Sequence, residues 1–392
     1  MNIQEESKKY FLEVYKRIPV TITHGKGVYL YDENGAAYLD FLAGIAVNAL
    51  GYNHPAVIKS LQEQAAKNLH LSNFFVQEIQ VKLAKKLIEL TPFDKIFLTN
   101  SGTEAIEGLL KLVKKWGNNR SKTKIISFHG SFHGRTLGAA SITGQDKYRK
   151  NFQPMMPNVE FVPYNDVAAF NSAISDSTCA VFFEGISGEG GIKPISDEML
   201  SAIVEGKAKY DYLVIADEIQ TGVSRTGKFY NFEHYSFVPD AIASAKGLGG
   251  GLPLGAFLVS ENLNSVFDYG EHGTTYGGNP LACATGLATL EIVSRPDFLQ
   301  SVNENGLYFK NQLKELQKNF PDLIKDVRGS GLMLGLEVTH SADKIMQMGI
   351  ENKLIFNVAG AGTTLRFVPP LIIEKKQIDE GLAILSEILS DI

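Results

Sequence analysis

Lys246 ends a short apolar run, Asp240-Ala-Ile-Ala-Ser-Ala, and opens a glycine-rich turn, Gly247-Leu-Gly-Gly-Gly251. A lysine behind such a run is shielded from water. Desolvation disfavours its charged form and leaves a neutral amine able to attack a carbonyl. An amine of this kind forms Schiff bases, and the commonest aldehyde cofactor for it is pyridoxal phosphate. Taken alone, the segment also fits a lysine that snorkels out from a strand end.

The other suspicious polar residues fall where apolar runs stop. Asp217 directly follows Tyr212–Ala216. A buried carboxylate must be paired or protonated, and a protonated pyridine nitrogen is one good partner; a structural ion pair or helix cap is the other reading. Asn100-Ser-Gly-Thr-Glu104 follows a strand and opens a helix, so its backbone N–H groups and hydroxyls suit a phosphate, or make an ordinary N-cap. Ser131-Phe-His-Gly-Arg-Thr136 offers an aromatic face, Phe132, and an arginine, Arg135, fit for bidentate carboxylate recognition. Arg366 is a second arginine in an apolar setting, Thr364–Pro370, and Glu189 is an acid on a glycine-rich loop. His129 and His133 have H-x-x-x-H spacing, but Gly130 and Gly134 break a helix between them and no glutamate follows His129, so no metal is expected. Gly247–Gly251 lacks the spacing of a nucleotide-binding loop.

These residues need a scaffold of alternating strands and helices. A helix is predicted around Lys8 to Tyr15, then a hairpin of Gly27–Tyr31 and Ala37–Phe41 turning at Asp32-Glu-Asn-Gly35. Helical spacing runs from His54 to Leu90. Strands are expected at Lys95–Thr99, Lys124–Phe128, Cys179–Glu184 and Tyr212–Ala216, with a helix from Thr103 to Trp116. The last two strands are continuous apolar runs, as in strands buried on both faces. Such alternation implies a mostly parallel sheet, with ligands beyond the carboxyl ends of its strands. Past Leu281 come a long helical stretch, strands at Gly331–Val338 and Leu365–Val368, and an amphipathic helix from Lys376 to Leu389. The expected organisation is an N-terminal segment, 1–60, joining a small α+β domain, 286–392, around a large domain, 61–285.

With 392 residues, 44% hydrophobic and 21% charged, the chain can bury two substantial cores. Its net charge of −5 carries no basic stripe, which argues against nucleic acid and anionic membrane surfaces. Two cysteines, Cys179 and Cys283, in apolar surroundings suit a reducing cytoplasm rather than a disulfide framework. The first ten residues lack the apolar core of a secretory signal, and no apolar stretch reaches membrane-spanning length.

Five motifs in order carry a resemblance: Asn100–Ala105, Ser131–Thr136, Asp217–Gly222, Ala245–Gly251 and Thr275–Ala282. Together they resemble class III aminotransferases, pyridoxal-phosphate enzymes of fold type I, from about Tyr15 to Ile373. The resemblance implies an α/β fold with a mostly parallel, seven-stranded central sheet in a large domain and a smaller α+β domain. It implies a homodimer in which Thr275 serves the partner's site. By it, Lys246 bonds the cofactor's aldehyde and shuttles protons, and Asp217 binds its pyridine nitrogen. Phe132 stacks on the ring, Gln220 lies near its phenolic oxygen, and Ser101, Gly102 and Thr103 hold its phosphate. Arg135 binds the distal carboxylate of the substrate, Arg366 binds the α-carboxylate of glutamate with Glu189 as its switch, and Tyr15 lines the pocket. Within the class, Phe41–Gly51 and Ser131–Thr136 look most like the acetylornithine aminotransferases, which move an amine from N2-acetylornithine to 2-oxoglutarate. Ornithine, succinylornithine and 4-aminobutyrate aminotransferases are the rival readings, and an aminomutase is the rival class. The family usually carries Glu-Pro-Ile-Gln-Gly-Glu where this chain has Glu184-Gly-Ile-Ser-Gly-Glu189, which puts acyl-group preference in question.

Overall fold

The computed structural model describes residues 3–392. Its centre is a seven-stranded sheet. In chain order the strands are β1 (Lys95–Thr99), β2 (Lys124–Phe128), β3 (Val159–Val162), β4 (Thr178–Glu184), β5 (Leu213–Asp217), β6 (Ala241–Ser244) and β7 (Gly255–Val259). In space they run β1-β7-β6-β5-β4-β2-β3. Only β7 is antiparallel to its neighbours, β6 and β1. The apolar runs are buried on both faces. In β4 Ala180 and Phe182 pack with one core and Val181 and Phe183 with the other, the period-two alternation of a pleated strand. Burying a phenylalanine fully, as Phe182 is here, stabilises by roughly 1.5–3 kcal/mol. One face is covered by helix α1 (Gly102–Asn118), whose Ile106, Leu109, Leu110, Val113 and Trp116 recur at helical spacing and are all buried.

Register places the chemistry. Asp217 of β5 pairs with Glu184 of β4 on one side and Ala243 of β6 on the other, so two carboxylates end adjacent strands at one level. Lys246 follows three residues past Ala243. Because β7 runs backwards, its first residue, Gly255, pairs with Thr99 at the end of β1, and the start of α1 lies at the same edge.

Smaller sheets surround this one. Ile22–Lys26, Tyr29–Asp32 and Ala37–Asp40 form an antiparallel meander, which Leu354–Ile355 extends in parallel. Ile324–Ser330, Met333–Val338, Thr364–Phe367 and Asn357–Ala359 form an antiparallel sheet that carries Arg366. A two-stranded ribbon, Ile186–Ser187 with Lys193–Pro194, holds the loop of Glu189. Arg225, fully buried, donates from Nη1 to the carbonyls of Leu332 and Pro369, tying the loop after β5 to the C-terminal part.

Two predicted helices differ. The first is Ile3–Tyr10, and Phe11, Leu12, Val14 and Tyr15 lie exposed beyond it with no core to hold them helical. The His54–Leu90 stretch splits into Pro55–Ala65 and Glu78–Glu89, because Leu69, Leu71 and Phe74–Val76 between them are exposed. Among the described residues no helix is long and apolar enough to cross a membrane, and no cluster of three or more His, Cys, Asp or Glu side chains is arranged to hold a metal.

Candidate active site

A cavity of about 470 Å³ opens at the carboxyl ends of the parallel strands, and Lys246 and Asp217 line it. Lys246 opens a single 3-10 turn with φ of +50°, a conformation disfavoured for any residue with a side chain. The Gly-rich run after it allows the tight reversal, with Gly250 and Gly251 also at positive φ. Burial, and then the charge of Arg366, push the Lys246 amine down from 10.5 to about 8.

Asp217 is buried, and both its oxygens are engaged. Oδ2 lies 2.7 Å from His133 Nδ1, and Oδ1 accepts from the Ile219 backbone N–H at 3.0 Å. Burial pushes the His133 imidazole down, but the hydrogen bond and charge of Asp217 outweigh this and leave it raised. The contact ties the loop of residues 131–136 to the end of β5. His133 Nε2 is buried with no hydrogen-bond partner among the described residues. Glu184, beside Asp217, accepts from the backbone N–H groups of Phe132 and Gly188 at 3.1 and 3.2 Å. Burial is the main reason its carboxyl is pushed up to about 7.

The far wall is the start of α1. Ser101 caps the helix, its Oγ accepting from Glu104 N–H at 3.3 Å. Ser101, Gly102 and Thr103 line the cavity, and the unpaired N–H groups of a first helical turn, with the positive end of the helix dipole, favour an anion. A Cβ on Gly102 would stand 2.6 Å from Ile219, and one on Gly134 would strike the Thr103 hydroxyl, so both backbones approach as closely as glycine allows. Thr103 Oγ1 is 3.0 Å from Thr136 Oγ1, which in turn donates to Glu107.

Two arginines flank the cavity in opposite states. Arg366 is 1% exposed and paired: Nη1 donates to Glu189 at 2.6 Å and Gln220 at 3.2 Å, and Nε donates to Asn357 at 2.9 Å. Burial pushes the Glu189 carboxyl up, but the Arg366 charge and hydrogen bond hold it below its usual value. Arg135 is exposed. Its guanidinium carbon lies 4.3 Å from the Tyr148 ring centroid and 5.8 Å from that of Phe132.

Of the residues singled out in the sequence, Ser101, Gly102, Thr103, Phe132, Arg135, Asp217, Gln220 and Lys246 line one cavity, and Arg366 and Glu189 adjoin it through Gln220. Two lie elsewhere. Tyr15 is exposed in a groove made by residues 3–21, and Thr275 is exposed on a loop at a separate surface pocket. Gly185, set against a family proline, is packed by the Tyr235 hydroxyl and the Asn231 amide, and Ser187 turns towards Glu184. Sequence reasoning missed three residues. His133 was weighed as a metal ligand alone, Glu184 as part of a strand, and Tyr148 gave no signal in Gln145-Asp-Lys-Tyr148.

The arrangement offers a low-pKa amine, a buried carboxylate hydrogen-bonded to an imidazole, a helix N-terminus suited to an anion and two guanidinium groups. The family model for class-III aminotransferases matches residues 10–389. The acetylornithine aminotransferase of Caldanaerobacter subterraneus subsp. tengcongensis is 44% identical over 98% of both chains. That of Aquifex aeolicus is 44% identical over 97% of this chain and all of its own. An ornithine aminotransferase structure from Toxoplasma gondii, with pyridoxal phosphate in partial occupancy at its active site, superimposes with a TM-score of 0.93 at 30% identity, covering 99% of this chain and 93% of that one. The side chains here fit that cofactor part by part. A buried amine suits its aldehyde, a buried carboxylate its ring nitrogen, and a helix start narrowed by Gly102 its phosphate. The site, the fold and the full-length similarity agree, and the chain belongs to the class-III aminotransferases.

Proposed function

We propose that this enzyme moves the δ-amine of N2-acetyl-L-ornithine to 2-oxoglutarate, giving N-acetylglutamate 5-semialdehyde and L-glutamate. The observation that carries this reading is the contrast between the two arginines. A donor that reacts through its distal amine has its carboxylate far from the reacting carbon, where Arg135 stands open. Glutamate reacts through its α-amine and needs a second cation close by. Arg366 is that cation, neutralised by Glu189 at 2.6 Å until it is required. A buried guanidinium without an acid would be costly. The names of the full-length relatives support the same donor.

Bound pyridoxal phosphate supplies an aldehyde and an electron-withdrawing ring. The chain's own residues do the rest. Lys246 Nζ takes a proton from the amine-bearing carbon and returns one across the site, a role suited to an amine near neutrality. Asp217, held by His133, would pair with the ring nitrogen, and Phe132 would stack on the ring. The N–H groups and hydroxyls at Ser101–Thr103 would hold the phosphate, and Gln220 accepts a hydrogen bond from Arg366 at the cavity wall. The active unit in this reading is a homodimer in the cytoplasm, with Thr275 completing the partner's phosphate site. Exposed Phe74 (97%) and Tyr269, which line the same surface pocket as Thr275, support burial against a second copy, and two free, buried thiols suit a reducing compartment.

The test is initial rates with 2-oxoglutarate and a panel of acetylornithine, succinylornithine, ornithine and 4-aminobutyrate. Acetylornithine should have the highest kcat/KM; preference for any other donor refutes the assignment.

A further inference from the structure

Arg135 is the cation most exposed to an incoming substrate, yet among the described residues no carboxylate pairs with it. The acid nearest in sequence, Asp146, pairs with Arg149 instead. An unpaired arginine side chain has several free torsions, and fixing them on binding costs affinity. What holds Arg135 is aromatic. Its guanidinium carbon lies 4.3 Å from the Tyr148 ring centroid, and Tyr148 meets Phe132 edge to face at 5.4 Å. Stacking uses the face of a guanidinium. Its N–H groups lie in the plane and stay free for a carboxylate. An acid in place of Tyr148 would also fix Arg135, but would spend those donors and cancel the charge.

We infer that Tyr148 is a specificity-determining, positioning residue: its ring pre-orients Arg135 to receive the distal carboxylate of the substrate. This rests on the reading of Arg135 given above. Tyr148 also touches Phe132, whose backbone N–H is held by Glu184 at 3.1 Å. The carboxylate subsite and the aromatic wall over the cofactor are thereby one packed unit, built from positions 132, 135 and 148.

The deciding measurement is the Kd of glutarate, a dicarboxylate without an amine, for the holoenzyme by calorimetric titration. A cation–π contact of ordinary strength converts to a weakening of about two- to thirtyfold in Tyr148→Leu. Tyr148→Phe keeps the ring and should bind as wild type. In an Arg135→Ala background, with Lys147, whose Nζ lies 4.7 Å from the same ring centroid, left in place, Tyr148→Leu should add nothing. Steady-state rates should agree. In Tyr148→Leu the ratio of kcat/KM for acetylornithine to that for N-acetylputrescine, the same donor without its carboxylate, falls by the same factor, through KM and not kcat. An unchanged glutarate Kd in Tyr148→Leu, a Tyr148→Phe variant as weak as the leucine one, or an equal loss in the Arg135→Ala background would each overturn the inference. Should acetylornithine prove a poor donor for the wild type, the donor assignment falls, and the glutarate titration still decides the role of Tyr148.

Discussion

The protonation of Lys246 can be read directly from the rate at which cofactor-free enzyme captures pyridoxal phosphate, since only the neutral amine attacks the aldehyde. With a pKa of about 8 in place of 10.5, roughly one molecule in ten is neutral at pH 7, against roughly one in three thousand for an ordinary lysine. The structure therefore supplies about a three-hundredfold gain in reactive amine. Stopped-flow absorbance should show the capture rate rising about tenfold per pH unit from pH 6, bending near 8 and running flat above. Behind burial, Arg366 is the next cause of the depression and Glu189 opposes it. Glu189→Gln should consequently move the bend to lower pH, and Arg366→Gln to higher pH. A rate still climbing through pH 9.5, or a bend shifted in the same direction by both variants, would refute this account of the amine.

His133→Phe leaves one oxygen of buried Asp217 without a partner, a loss of roughly 1–3 kcal/mol. The thermal midpoint of the apoenzyme should fall, and kcat at saturating cofactor should fall with it; an unchanged midpoint would show that water replaces the imidazole. Gly185→Ala drives a methyl into the Tyr235 hydroxyl and the Asn231 amide, costing about 1–3 kcal/mol as overpacking does, and a second change, Tyr235→Phe, should recover part of the lost midpoint. Thr275→Ala should weaken retention of pyridoxal phosphate although Thr275 lies outside its own chain's cavity, and unaltered retention on dialysis would remove it from the partner's site.

The strands that build the floor of the site were legible because strands buried on both faces read as unbroken apolar runs, as in 178–184 and 213–217. Polar residues ending such runs mark the ligand edge of a parallel sheet. Strand direction has no comparable signature. Gly255-Ala-Phe-Leu-Val259 is not among the strands expected from the sequence, and both its place and its reversal between β1 and β6 appear only in the pairing. Contacts across long sequence separations were equally hidden. His133 meets Asp217 from 84 positions away, and no local pattern distinguishes that from H-x-x-x-H spacing. Tyr148 stands in a polar turn where an aromatic residue reads as incidental, and its role emerges only with Arg135 over its ring. Tyr15 was placed in the pocket by resemblance, and in one chain it lies exposed with the N-terminal segment.

The two arginines differ in burial and partners, and that difference sets how the proposed Arg366 gate would work. Arg366 is buried, and Glu189 pairs with it in the absence of a carboxylate substrate. Cancellation by Glu189 is reversible only if the acid can leave. Its backbone cannot swing far. Gly360 N–H donates to the Glu189 carbonyl at 3.0 Å. A Cβ on Gly188 would stand 2.8 Å from Gln220, and one on Gly190 would strike Ser187 Oγ. The loop is thus seated on its neighbours, and the carboxylate is freed by side-chain rotation. Reach, and not charge alone, then matters. Glu189→Asp keeps the negative charge but is one methylene short of Arg366 Nη1. It should behave like Glu189→Gln, with the kcat/KM ratio of acetylornithine to glutamate shifting towards glutamate by about ten- to a hundredfold, the range given by one hydrogen bond to a charged group. If the loop instead carried the acid in and out, aspartate would follow it to the arginine. A wild-type ratio in Glu189→Asp beside a shifted one in Glu189→Gln would then show that the backbone, and not the side chain, is the moving part.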